Sequence, residues 1–128
     1  MQTGTLKKNY QRVIFLCFTL LLFVTSNFYP QTNIQSGGWS VSPSLSSYSL
    51  DSNNGERSMT IEIRFKDPFK QKPSVFLSVS QIDADKETNV RYNVEAISVS
   101  RDGFTLKIKT WADSKIFSIS GSWIAHAQ

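Results

Sequence analysis

Cysteine is nearly missing from this sequence. The single one, Cys17, lies inside an apolar run near the start, where it reads as a small hydrophobe. With that run set aside no thiol remains, which excludes disulfides, cysteine metal ligands and a cysteine nucleophile. A domain of about a hundred residues without disulfides needs a good core or help from oligomerisation. Histidine is equally scarce. His126 stands two residues from the last position and reads as a solvated tail residue. No Gly-x-Ser-x-Gly elbow is present, and Ser120-Gly121-Ser122 falls within a strand pattern, so a triad hydrolase is excluded. A glycosidase pair could be drawn from Asp83, Asp85, Glu95 and Asp113, but nothing forces two of them to the required separation. Asp83-Ala84-Asp85 faintly resembles a calcium loop without the further oxygen ligands or glycine that an EF-hand needs. The expectation is a protein that is not an enzyme, with no metal and no cofactor.

Acidic residues are absent from the first 26 positions, and the overall charge of +4 is misleading for that reason. Lys7, Lys8 and Arg12 hold three of the fourteen basic residues; without them 11 basic residues face 10 acidic ones. A nucleic-acid partner thereby loses its main support. Those three cations precede VIFLCFTLLLFV, Val13 to Val24, and then Thr25 and Ser26. This is the three-part form of a secretory signal. A 12-residue run is short for a membrane-spanning helix, which needs about 20. Residues 1–26 are therefore expected to be a cleaved signal peptide, an uncleaved anchor being the alternative. Residues 27–34 follow as a flexible lead-in and 35–128 as one domain, secreted and extracellular or held at the cell surface.

No convincing amphipathic helix is found; alternation dominates instead. Gln35 to Trp39 introduces a short first strand, and Ser42 to Gly55 is a long loop with a strong turn signal at Asn53-Asn54-Gly55. Ser58 to Phe65 sets Met59, Ile61, Ile63 and Phe65 against Thr60, Glu62 and Arg64. Ser74 to Ile82 and Arg91 to Ser100 alternate likewise. Arg101-Asp102-Gly103 is a tight turn in which glycine supplies positive φ, and Phe104 to Thr110 forms the fifth strand. In the sixth, Ile116 shares a face with Ser118, Ser120 and Ser122, opposite Phe117, Ile119 and Gly121. Trp39, Phe65, Phe69, Phe76, Phe104 and Trp123 read as core, and Lys66, Lys70 and Lys72 as a solvated turn. The pattern predicts an all-β domain, an antiparallel sandwich or barrel.

Two residues resist a purely structural account. Trp111 stands at a strand end in TWADSK, with Ala112 and Asp113 after it, and Arg91 opens a strand after a polar turn. An exposed aromatic face packs on the apolar C–H face of galactose-type sugars, while arginine, carboxylate and amide groups bind hydroxyls.

Six collinear segments carry a resemblance: IRFKDPF (63–69), PSVFLSVSQIDAD (73–85), NVRYNVEA (89–96), VSRDGFTLKIKTW (99–111), DSKIF (113–117) and SWIA (122–125). In wording and spacing, residues 35–125 resemble the H-type lectin family, the module of snail-type agglutinins and of the C-terminal domain of discoidin. The resemblance implies a six-stranded antiparallel β-sandwich assembled as a trimer or paired trimers. It also implies sites between protomers for N-acetylgalactosamine or galactose on glycoproteins or glycolipids. The family arginine falls on Arg91, its tryptophan on Trp111 and an aromatic on Phe117, without the family tyrosine's hydroxyl. The loop acid or amide falls on Asn54, or on Asp51 if the loop shifts. Ala112 stands where some members have histidine, and Ile108 at one position of a cysteine pair found in others. A structural or adhesive sandwich that has lost sugar binding is the rival reading.

Overall fold

The structure, a computed structural model, describes residues 33–127. The expected signal peptide with Cys17, and the lead-in as far as residue 32, lie outside the described residues. Six strands follow one another: β1 (Asn33–Val41), β2 (Arg57–Arg64), β3 (Ser74–Ala84), β4 (Tyr92–Ile97), β5 (Gly103–Thr110) and β6 (Ile116–Ala127). All pairings are antiparallel and make two three-stranded sheets, β1-β6-β3 and β2-β5-β4. This is the expected six-stranded all-β sandwich. β1 begins at Asn33, so two residues assigned to the lead-in are strand, paired with Ala127 and His126.

The core follows from the alternation. Along β5, Phe104, Leu106, Ile108 and Thr110 are buried, each large apolar side chain contributing roughly 1.5–3 kcal/mol. Trp123 of β6 packs on Phe104 at 5.7 Å and 77° and on Phe65, just after β2, at 5.7 Å, joining the two sheets. Phe69 reaches the same cluster edge-on to Phe65 at 4.9 Å. A Cβ on Gly121 would overlap the Ser78 carbonyl and come within 2.7 Å of the Trp39 ring. Only glycine therefore fits where Trp39 lies across β6.

Four side chains depart from the sequence reading. Between Asp83↔Ser118 and Ala84↔Ile116 the register slips, leaving Phe117 as an extra residue on β6. Such a bulge reverses the facing of what precedes it. Ile116 is fully buried rather than level with the serines, and Phe117 is 39% exposed. Phe76 is not core: it lies on the serine face of β3, 61% exposed. His126 is not a free tail residue, because it lies within β6, paired with Ile34 and Ser74, and stacks on Phe76 at 5.7 Å and 7°. Gly103 has no positive φ; glycine is required there because a Cβ would overlap the Ile63 carbonyl.

The long loop after β1 is anchored by buried Leu50, whose carbonyl accepts from Ile116 N–H at 3.0 Å, and by Tyr48, whose hydroxyl donates to the Ile116 carbonyl at 2.6 Å. Burial first, then the charges of Asp51 and Asp83, push the Tyr48 phenol up from 10.0 to about 12. Since ionisation is harder in the folded state, this contribution is complete below the unfolded pKa near 10 and is lost as pH rises through about 12. Tyr48→Phe is expected to cost about 1 kcal/mol at neutral pH through the lost hydrogen bond. Denaturant titrations at several pH values should show the wild-type advantage shrinking between pH 10 and 12; a gap independent of pH contradicts the assignment.

Candidate functional site

At one end of the sandwich, Arg57 at the start of β2, Thr110 at the end of β5 and Tyr92 at the start of β4 lie side by side. Arg57 shares the inward phase of Met59, Ile61 and Ile63, and its guanidinium is buried. Nη1 donates to the carbonyls of Gly55 at 2.5 Å and Ala112 at 2.9 Å, and Nη2 donates to the carbonyl of Ser114. A buried cation needs such charge-assisted bonds. Here they fasten the 53–55 turn to the 111–114 turn, and Gly55 N–H adds a bond to the Ala112 carbonyl at 2.9 Å.

Both turns use left-handed backbone. Asn53 has φ 55° and Gly55 φ 87°, as the turn signal implied. Ala112 has φ 56° without being glycine, a conformation costing roughly 1–2 kcal/mol. Strain of this kind persists where surrounding bonds over-determine the backbone, and the Ala112 carbonyl has two donors.

Ser114 is the second buried organiser. Its hydroxyl donates to the Asn89 carbonyl at 2.5 Å and accepts from Arg91 N–H at 3.1 Å. Thr110 Oγ1 donates to the Arg91 carbonyl at 2.7 Å. Arg91 is thereby held through both its backbone groups, and its Nη1 meets Asp113 Oδ1 at 2.6 Å in a half-exposed ion pair. Trp111, two residues before Asp113, is 39% exposed and walls an open groove with Glu56, Asn93, Glu95 and Lys109.

Of the seven residues singled out in the sequence, Arg91, Trp111, Ala112 and Asp113 converge on one turn. Asn54 sits against that turn through its neighbour Gly55, whereas Asp51 lies by Tyr48 and the start of β6. Phe117 is exposed on the β6 bulge and makes no ring contact with Trp111 among the described residues. Asp85 caps a turn, accepting from Glu87 N–H at 2.9 Å. Sequence reading overlooked Arg57 and Ser114. The signal for Arg57 was present, an arginine on the apolar phase of a strand; a serine in a turn gave none.

The H-type lectin domain model matches residues 60–126, which include Arg91 and the whole Trp111 turn. The chain belongs to the H-type lectin family. This H-type lectin chain is 30% identical to one form of discoidin-1 from Dictyostelium discoideum over 79 residues, 61% of the chain and 31% of that protein. It is 33% identical over 72 residues to a Fuscovulum blasticum protein named ATP synthase subunits region ORF 7, covering 56% of the chain and 63% of that protein. It thus spans about a third of the discoidin relative and under two thirds of the Fuscovulum one. Discoidin II of Dictyostelium discoideum has the same fold, with a TM-score of 0.67 at 22% identity over 77% of this chain and 38% of the other.

The dependence of the 111–114 turn on its two organisers is measurable. Arg57→Leu leaves the Gly55 and Ser114 carbonyls without that donor and the Ala112 carbonyl with Gly55 N–H alone, and is expected to destabilise the domain by about 3 kcal/mol or more; Ser114→Ala is expected to cost about 2 kcal/mol. Urea unfolding of both variants provides the test, and losses below about 0.5 kcal/mol, the range of an ordinary surface change, contradict the clamp.

Proposed function

We propose that this chain is a secreted, non-catalytic lectin that binds terminal N-acetylgalactosamine or galactose-type residues of glycoproteins and glycolipids. The observation that carries the reading is Trp111, exposed at the start of the turn whose Asp113 pairs with the fixed Arg91. The indole offers an apolar platform for the C–H face of a sugar. The guanidinium donates to hydroxyls and the carboxylate accepts from them, so one half-exposed ion pair presents both hydrogen-bonding senses. Asn54, across the Gly55–Ala112 bond, adds an amide, and Asp51 a carboxylate farther along the same loop. Phe117, away from Trp111 in one protomer, takes part if the site is completed by a neighbouring copy.

A trimer, or a dimer of trimers, belongs to the same proposal. A small open site binds a monosaccharide weakly, and repetition restores strength on dense glycans by avidity. Exposed Ile34, Phe76 and Ile124 on the outer face of β1-β6-β3 supply apolar surface for self-association.

The rival, a sandwich that adheres without binding sugar, is favoured by the 2.6 Å pairing of Arg91 with Asp113 and by Ala112, which offers only a methyl group. Glycan-array binding of the secreted protein, its first residue established by N-terminal sequencing, separates the two. Wild type is expected to select terminal galactose-type sugars. Arg91→Ala is expected to lose most of that signal, on the order of tenfold or more, while light scattering shows the same trimer. A folded trimer that binds no glycan, or one whose binding survives Arg91→Ala, overturns the reading.

A further inference from the structure

The opposite end of the sandwich carries a feature that sugar binding at Trp111 does not use. There β2 ends at Arg64, β5 begins at Gly103 and β3 begins at Ser74 beside His126 of β6. The connecting loop from Arg64 to Pro73 is tied down at several points. Phe65, Phe69 and Pro73 are buried. Phe65 N–H donates to the Asp102 carbonyl at 2.9 Å, Phe69 N–H to the Arg101 carbonyl at 2.9 Å, and Arg101 Nε back to the Phe69 carbonyl at 2.7 Å. From β1, the Gln35 side chain accepts from Lys66 N–H at 2.9 Å and donates to the Asp67 carbonyl at 2.7 Å. With its apolar residues turned inward, this fixed loop presents Lys66, Lys70 and Lys72 outward, flanked by Arg64 and Arg101.

Among the described residues, the ion pairs are Lys86–Glu87, Arg91–Asp113, Lys107–Glu95 and Lys109–Glu56. None involves the five cations of this end. The acids beside them are Asp67 and Asp102, with Glu62 engaged by the Thr105 hydroxyl at 2.7 Å. Charge that nearly cancels over the domain is therefore unevenly placed. The cations extend from the groove at β1, which Arg64 and Lys66 line with Asn33 and Gln35, to the first residues before β3. They do not converge on one point, so they suit a chain of anions rather than a single one.

We propose that this basic end is a second binding surface, distinct from the Trp111 site, for a sulfated polysaccharide. Lysine ammonium groups held on a rigid frame neutralise successive sulfates, and released counterions make the affinity fall steeply with salt. Apart from Pro68, the loop itself exposes no aromatic or aliphatic side chain, so the contacts it offers are those of its cations. The surface does not depend on the sugar reading of Trp111.

Heparin affinity of the full chain across a salt gradient is the test. Wild type is expected to be retained and to elute with added salt, and the triple variant Lys66→Glu/Lys70→Glu/Lys72→Glu to bind roughly tenfold more weakly or worse. The triple Lys→Arg variant should retain binding. A control with equal charge change elsewhere, Lys86→Glu/Lys107→Glu/Lys115→Glu, should elute near wild type. Residues 1–32 are common to all four proteins, so differences report on the domain, and matching thermal midpoints establish that each is folded. Equal losses in the two charge-reversed variants would reduce the effect to net charge and overturn the proposal. So would equal affinity for single-stranded DNA, or binding to phosphatidylserine vesicles without binding to heparin.

Discussion

The buried guanidinium of Arg57 is the interaction on which the end of the sandwich that carries Arg91 and Trp111 depends. Three carbonyls from two loops surround it, and no carboxylate shares the task among the described residues. A carboxylate partner would fix one point; three carbonyl dipoles fix the path of two turns at once. That constraint accounts for Ala112 in left-handed backbone, since its carbonyl must serve both Arg57 and Gly55 N–H. It also accounts for Trp111, which lies one residue before that position and is left facing solvent. Ser114 extends the arrangement to Asn89 and Arg91. Exposed Trp111 and half-exposed Arg91 thus stand on a buried polar frame that fixes their positions.

The six strands were legible because most of their residues alternate cleanly and one face is buried. Legibility failed where a local irregularity changes the phase. The extra residue at Phe117 turned Ile116 inward and Phe117 outward, and alternation over so short a run cannot announce a bulge. Phe76 shows the reverse lesson: its position among the serines of β3 already placed it outside, and only its aromatic character argued for the core. Within the site, Arg91 and Trp111 were visible as residues out of keeping with their surroundings. Ser114 was invisible because its role depends on Asn89, 25 residues away, a proximity that spacing does not encode.

The two ends of the sandwich differ in physical character. At one, Arg91 and Asp113 are paired and Trp111 is exposed; at the other, Phe65 and Phe69 are buried and Lys66, Lys70 and Lys72 take part in no ion pair among the described residues. Membership of a lectin family accords with the first end. It does not account for the second, where buried Phe65 and Phe69 hold a loop in place while its lysines face water. Such a division places the proposed sugar surface and the proposed polyanion surface at opposite ends of one small domain.

The most direct test of the central claim is a heteronuclear NMR titration with N-acetylgalactosamine. Trp39 and Trp123 are buried whereas Trp111 is exposed, so the three indole signals separate core from site. The account predicts that the Trp111 indole and the amides of Arg91, Ala112 and Asp113 shift together and saturably, with the other two indoles nearly still. Saturable shifts confined to a different part of the sandwich, or none at millimolar sugar, would contradict it.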